Sequence, residues 1–426
     1  MNFNTSPPRG MRDILPQETE IRDFAIARIL AVYRQYGFSH IETPALESIG
    51  LLTGGQGGEN EKLIYKILKR GEKLDLDRRD IAAEDLVDLG LRFDLTVPLT
   101  RYYANNRSNL PRVFKSIQLG SVWRAERPQR GRFRQFTQCD IDMIGVGSEL
   151  CEAELLEATS EALVAVGFKD FTIRINDRKI LSGMAAAAGF DTAAHDGIFV
   201  TLDKLDKIGT DGVGAELTAA GHPAAAIAAI MTMLDAMPRD ATGLQAAAAA
   251  LPESIDRDAF QALENVAEAV TAAADGRYTV EYDPTLVRGM GYYTGQIFEI
   301  QYGDYPFSIA GGGRYDRMIG RMIGTEVPAC GFSIGFERVI TILMEEGLAD
   351  GDAGRRLAVI VADNDPLPAV LAAARALRAD GYAATLLPRQ RKLGRQIANL
   401  ADEGFDFFSV FRGDAERPEV EAVRKD

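Results

Sequence analysis

The chain of 426 residues has few of the residues on which much enzyme chemistry depends: three cysteines, three histidines and one tryptophan. Cys139, Cys151 and Cys330 show neither a disulfide framework nor metal-ligand spacing, so a reducing compartment, the cytoplasm, is expected. His40, His195 and His222 lie far apart and outside every motif, which argues against a histidine-based triad or metal site. Basic charge is in deficit, with 48 Lys and Arg against 62 Asp and Glu and a formal net charge of -14. Binding nucleic acid through bulk charge is therefore not expected; a nucleic-acid partner would have to meet a local basic face. No apolar run approaches about 18 residues and no charged-then-apolar leader opens the chain, so neither a membrane span nor secretion is expected. The remaining composition, 46% hydrophobic and 26% charged, is that of a globular protein too long for one ordinary core.

Apolar spacing predicts a helix over 17–36, closed by Gly37, and a second amphipathic helix over 151–166, closed by Gly167. Residues 63–67 and 92–97 read as strands, as do 171–175, 278–282 and 295–302. Between them, 181–274 is rich in alanine with interspersed Leu, Ile, Met and Phe, the pattern of a helical insertion. A glycine-rich turn is expected at 310–313 and a strand-to-helix passage over 329–344. After a Gly/Asp/Ala linker at 346–356, strands at 357–362, 383–387 and 405–411 alternate with helices at 367–379 and 393–400. That alternation predicts a small α/β module with a parallel sheet.

Against the acidic background stands an arginine cluster. Residues 113–145 hold two strand-like runs flanking a loop with Arg124, Glu126, Arg127, Arg130, Arg132 and Arg134. Planar, permanently charged guanidinium forks suit phosphate oxygens, so the hairpin reads as a polyphosphate site; a solvated loop with surface ion pairs is the competing reading. On the return strand Gln138, Asp140 and Asp142 share a face and suit an amino group or an imidazole, or else form a cross-strand ion-pair ladder. Asp94 and Thr96 would share a face by the same alternation and could anchor an ammonium. Arg288 stands beside glycines and the Tyr292–Tyr293 pair, a combination that lets backbone approach a ligand within a walled pocket. Gly311–Gly313 precede Arg314, Tyr315 and Asp316 without the Lys of a phosphate loop. Gly331–Arg338 reads as a small-residue strand feeding a helix whose start carries Arg338. Each of these last motifs also fits a bland turn or strand end.

In this order the motifs resemble the catalytic core of class II aminoacyl-tRNA synthetases, and specifically the histidyl-tRNA synthetase family, over nearly the whole chain. The run from Tyr36 to Pro44 resembles motif 1, the arginine hairpin motif 2, and Gly331–Arg338 motif 3. The segments around Arg288 and Gly311–Asp316 resemble the two peculiar to the histidine enzymes. The resemblance implies an α+β catalytic domain with an antiparallel sheet, a helical insertion and a C-terminal α/β anticodon-binding-like domain. The corresponding division is 1–178 and 278–345 for the catalytic core, 179–277 for the insertion, 346–356 for the linker and 357–426 for the last domain.

The resemblance also implies the chemistry: ATP-dependent activation of L-histidine, with Mg2+, and transfer to tRNA(His) by a homodimer. Arg288, Arg124 and Arg338 would be catalytic. Arg124, Glu126, Arg132 and Arg338 would bind ATP. Asp94, Thr96, Gln138, Asp142, Arg288, Tyr292, Tyr293 and Tyr315 would bind histidine. Gln129 and Arg130 would face the acceptor end of the tRNA, and Pro44 the dimer interface. Two departures stand out: Gly291 replaces the family's usual Asp, and the C-terminal module ends early, after residue 411, in a charged tail. The resemblance also admits a non-translational paralog, such as the regulatory subunit of ATP phosphoribosyltransferase, or a stand-alone histidine-adenylating enzyme.

Overall fold

The helical spacing behind Leu15 folds as α1 (Pro16–Gln35), whose proline lies in the first turn, where a missing N–H costs least, and whose Ala25, Ile29 and Tyr33 are buried. The computed structural model describes residues 3–54, 60–74, 80–128, 132–241, 243–288, 292–348, 355–413 and 419–424. It divides into two compact units, Met1–Leu348 and Ala349–Asp426.

In the first unit α1 is followed by β1 (Ser39–His40), β2 (Leu46–Ser48), α2 (Ile49–Thr53), β3 (Lys66–Leu68), β4 (Val87–Leu91) and α3 (Thr96–Asn106). The hairpin β5 (Phe114–Trp123) and β6 (Gln135–Ile144) leads to α4 (Leu150–Val166) and β7 (Phe171–Asp177). The alanine-rich stretch folds as α5 (Arg178–Ala188), α6 (His195–Leu202), α7 (Leu205–Ala219, interrupted at Gly209), α8 (Ala224–Asp235), α9 (Leu244–Ala248) and α10 (Arg257–Ala274). Then come β8 (Tyr278–Tyr282), β9 (Gln296–Gln301), β10 (Ala310–Arg314), α11 (Arg317–Ile323), β11 (Ala329–Ile334) and α12 (Phe336–Glu346).

Among the described residues, eight of these strands form one sheet in the order β1-β5-β6-β11-β10-β9-β7-β8. Its pairs are antiparallel except at the two edges, where β1–β5 and β7–β8 run parallel. This is the antiparallel sheet that the resemblance implies.

Directly opposed residues share a face, and the register sorts them by polarity. One row crosses the sheet as Gln118, Asp140, Ser333, Gly311, Glu299, Arg174 and Glu281. The next row is Leu119, Cys139, Ile334, Ala310, Ile300, Ile173 and Val280. From Asp140 to Arg174 the polar row lines a cavity, whereas the apolar one belongs to the core with buried side chains from α4, α10 and α12.

The structure corrects two local expectations. Residues 92–97 are not a strand: β4 ends at Leu91, and Asp94 turns the chain into α3 by accepting a hydrogen bond from the Val97 backbone N–H at 3.1 Å. Pro98 in that helix's first turn fits a helix start and does not fit a central strand. Nor is 310–313 a turn, because Ala310–Arg314 is the fully buried strand β10 in the middle of the sheet. The glycines are there because the strand is crowded. A Cβ on Gly312 would lie 2.1 Å from the Gly331 carbonyl oxygen and 2.9 Å from the Phe298 ring.

The second unit holds β12 (Arg356–Val361), α13 (Leu367–Ala379), β13 (Ala383–Pro388), α14 (Leu393–Asn399), β14 (Phe407–Val410) and β15 (Glu421–Ala422). Its sheet runs β13-β12-β14-β15. The first three strands are parallel, as the alternation predicts, but the segment expected as a tail adds β15 antiparallel to β14.

Candidate active site

On the polar face of the larger sheet lies a cavity of about 920 Å³. It brings together Arg124, Glu126 and Arg132 of the hairpin, Asp94 and Thr96 at the start of α3, and Gln138, Asp140 and Asp142 of β6. Arg288, Tyr292, Tyr293, Tyr315 and Arg338 line it as well. Gln129, Arg130 and Gly291 lie outside the described residues. Pro44 is exposed and is not among the residues lining the cavity; its carbonyl oxygen accepts from Arg92 Nη1 at 3.4 Å.

One end of the cavity is a nest of acceptors. Asp94, Asp140 and Asp142 are 1%, 3% and 2% exposed, so they are almost wholly withdrawn from water. Asp94 Oδ2, Gln138 Oε1, Asp140 Oδ1 and Asp142 Oδ2 are buried without a hydrogen-bond partner. The other carboxylate oxygens are occupied: Tyr315 donates its hydroxyl to Asp142 Oδ1 at 2.6 Å, and Gln138 Nε2 donates to Asp140 Oδ2 and to Ser333 Oγ, each at 3.3 Å. Burial pushes the Asp94 carboxyl up to about 6 against the pull of the Val97 N–H. Burial likewise lifts Asp142 to about 7, with the Tyr315 hydroxyl opposing and the Asp94 charge adding. Asp140 is driven well above the carboxylate range by burial and by Asp142 beside it. Such a nest attracts a cationic, donor-rich group. Tyr292 wedges against Tyr293 and Tyr315, with ring centroids 4.7 and 6.1 Å away.

Five arginines line the same cavity: Arg124, Arg132, Arg174, Arg288 and Arg338. Arg124 lies over the Phe136 ring and donates from Nε to the Phe93 carbonyl oxygen at 2.9 Å. Arg338, in the first turn of α12, lies over the Phe307 ring and donates from Nη1 to the Ser308 carbonyl oxygen at 2.6 Å. Burial lowers its guanidinium to about 10, with Arg132, Arg288 and Arg124 adding like-charge repulsion. Arg132 is half exposed and only loosely paired with Glu126 at 3.7 Å. Arg288 pairs with Glu299 at 3.1 Å and lies flat on β10, in the space a Cβ on Gly311 would fill, 2.3 Å from Nη2. Crowded like charges whose mutual repulsion an anion would relieve make a polyanion site.

Sequence reasoning missed the residues that hold these groups in place. Glu299 belongs to no motif, although a lone charge between Phe298 and Ile300 on a strand was the available signal. Glu337, the residue before Arg338, ties three elements together. It accepts from Arg22 Nη1 at 2.8 Å and Nη2 at 2.9 Å, and from the Thr137 backbone N–H at 3.1 Å. Arg314, read as part of a site motif, points to the opposite face and pairs with Glu152 of α4.

A family model described as histidyl-tRNA synthetase matches residues 10–339. The chain is 46% identical over 425 residues to the histidine–tRNA ligase of Leifsonia xyli subsp. xyli, covering 97% of this chain and 96% of that protein. Among solved structures it is similar to the histidyl-tRNA synthetase of Nostoc sp., with a TM-score of 0.78 and 30% identity over 96% of this chain and 91% of the other. A Bacillus halodurans protein described as an ATP phosphoribosyltransferase regulatory subunit/histidyl-tRNA synthetase shares the fold, with a TM-score of 0.76 at 20% identity over 97% of this chain and 100% of the other.

Proposed function

The chain belongs to the histidyl-tRNA synthetase family, and on that premise we infer that it uses ATP to activate L-histidine and transfers the histidyl group to tRNA(His). One observation carries this reading to the residues: four unpartnered buried acceptors and five guanidinium groups line a single cavity. Histidine bears an ammonium and an N–H-bearing ring for the first set. ATP bears a polyphosphate for the second.

We assign the α-ammonium to Asp94 and Thr96, assisted by Gln138. Asp94 keeps one oxygen on the Val97 N–H, so its other oxygen is aimed by the start of α3. The imidazole goes to Asp142 and Tyr293. Tyr315 holds the carboxylate of Asp142 in one orientation, and Tyr292 buttresses both tyrosines. Arg124 and Arg338 take the α- and γ-phosphates of a bent ATP, Glu126 lies on its adenine side, and Arg132 reaches the phosphates from the rim. Arg288 lies between the two substrates, against the α-phosphate and the histidine carboxylate.

In the first step a histidine carboxylate oxygen attacks the α-phosphorus, the bond to the bridging oxygen of pyrophosphate breaks, and histidyl-adenylate forms. The nucleophile is already an anion, so no general base is needed. The barrier lies in bringing two anions together and in the charge that grows on the α-phosphoryl oxygens, and fixed guanidinium groups act on both. Magnesium, when bound, neutralises charge on the leaving pyrophosphate. It would be held by ATP oxygens and water, since the described residues form no cluster of three or more His, Cys, Asp or Glu that could hold it. In the second step a hydroxyl of the terminal ribose of tRNA attacks the carbonyl and AMP leaves. We assign contact with that acceptor end to Gln129 and Arg130, which lie outside the described residues. We further propose a cytoplasmic homodimer meeting near Pro44, a catalytic core over 1–178 and 278–345, a helical insertion over 179–277 and an anticodon-binding domain over 357–426.

The test is histidine-dependent ATP–pyrophosphate exchange, followed by transfer of labelled histidine to tRNA(His). Both should be present. Absence of exchange would favour a ligand-binding paralog, and exchange without transfer a stand-alone adenylating enzyme.

A further inference from the structure

The cavity wall continues into a line of alternating charge. Arg288 Nη1 lies 3.1 Å from Glu299 Oε2, and Glu299 Oε1 lies 3.9 Å from Arg174 Nη1. Arg174 Nη1 is in turn 3.6 Å from Asp283 Oδ2, and Asp283 Oδ1 is 2.6 Å from Arg239 Nη1. Arg174 and Glu299 are directly opposed on β7 and β9, so the sheet register sets their spacing. The far end, Arg239, follows α8. Its carbonyl accepts from the Tyr282 N–H at 3.0 Å, and Asp240 bridges to Glu281, so this segment is stitched to the edge strand β8.

Asp283 does more than link two arginines. It is 2% exposed and accepts from the Thr285 backbone N–H at 3.0 Å and the Thr285 hydroxyl at 2.6 Å. Its own carbonyl accepts from the Leu286 N–H at 3.0 Å, while Asn176 Nδ2 donates to the Leu286 carbonyl at 3.1 Å. These bonds fix the backbone from which Arg288 projects. The same line of charges therefore holds Arg288 twice, by its loop through Asp283 and by its guanidinium through Glu299, against the bare surface of Gly311.

We propose that Glu299, backed by Arg174 and Asp283, is the positioning residue for the Arg288 guanidinium, and that Arg239 couples this arrangement to the helical segment between β7 and β8. The inference rests on the role assigned to Arg288 above. Glu299 engages one terminal nitrogen from the side and fixes the plane of the fork before ATP arrives. This preorganisation acts on the transition state more than on ground-state binding.

The experiment is a double-mutant cycle on exchange in the full-length protein, with Glu299→Gln, Arg288→Ala and the double variant, each first checked by thermal unfolding. Glu299→Gln is expected to lower kcat at least tenfold with the KM for ATP changed less than threefold, and the double variant to be no slower than Arg288→Ala. Arg239→Ala is expected to lower kcat two- to fivefold at constant KM. Should Glu299→Gln unfold, Gly311→Ala supplies the second route, displacing the same guanidinium by a methyl group with the same kcat signature. Multiplicative effects in the cycle, or a rise in KM alone, would overturn the positioning role. Unchanged kcat in Arg239→Ala would overturn the coupling. Near-normal exchange in Arg288→Ala would instead overturn the underlying assignment, which a failed cycle leaves standing.

Discussion

Arg314 and Arg288 lie on opposite faces of one sheet and are treated in opposite ways. Behind the sheet, Arg314 Nε and Nη2 grip Glu152 at 2.6 and 2.7 Å. Its remaining donors go to Asp316 and the Val146 carbonyl, both at 3.2 Å, and to the Ser148 carbonyl at 3.1 Å. In front, the ion pair to Glu299 holds Arg288 from one side only. The carboxylates follow suit: Glu152 is closed by its arginine, whereas Asp94, Asp140 and Asp142 each keep a buried oxygen without a partner. A saturated buried charge braces a fold. A half-satisfied one is held in readiness for something that is not part of the chain.

The contrast can be broken first at its strongest point. Replacing Arg314 with Ala strands Glu152 in the core and should cost about 3–5 kcal/mol of stability. A melting temperature within a few degrees of the parent would mean that the back face is not the brace. Arg288→Ala should do the reverse, leaving thermal unfolding nearly unchanged while exchange falls about a hundredfold, as for loss of one transition-state donor. Gly311→Ala sharpens the point with a single methyl group. Its Cβ meets the movable end of Arg288 and not backbone, so the protein should fold while exchange drops at least tenfold; a folded, fully active variant would show that the guanidinium can work from elsewhere.

The smallest expected effect is one of pH. The folded protein holds protons on Asp94 and Asp142 up to about 6 and 7, whereas an unfolded Asp releases its proton near about 4. The folded state thus binds more protons between those values, and stability of the ligand-free protein must fall as pH rises through that window. Melting temperatures between pH 5 and 8 should show this decline. Asp142→Asn should flatten it and gain about 1 kcal/mol at pH 8 while losing histidine-dependent exchange. A slope identical to the parent's would remove Asp142 from its cause.

How much of this could be read beforehand depended on whether the deciding contact was local. Helices such as Leu367–Ala379 and the hairpin of β5 and β6 are written in their own periodicity and were legible. The motif order led to the cavity, because most of the residues that line it sit in short runs. Asp94 was found for an incorrect reason: alternation suggested a strand, while the side chain was turning the chain into a helix. The glycines of β10 read as a turn because glycine disfavours strands on its own. Neighbours on other elements, among them the Gly331 carbonyl, the Gln296 carbonyl and Arg288, explain them, and none is visible in the local sequence. Glu299 and Asp283 were missed for the same reason, since the arginines they pair with lie on other elements.

Those glycines also bear on how the molecule can change. A Cβ on any of Gly311, Gly312 or Gly313 would come within 3.0 Å of another atom, and every possible replacement adds at least that carbon. Variation elsewhere can be answered by a smaller or larger neighbour, in either direction. In the middle of β10 it can only enlarge, so accommodation must come from what lies around the strand: the Phe298 ring, the Gly331 backbone, the Tyr293 ring and Arg288. The centre of the sheet is thus a one-sided boundary for sequence drift, and a lineage that crosses it at Gly311 is expected to give up its catalytic step before it gives up its fold.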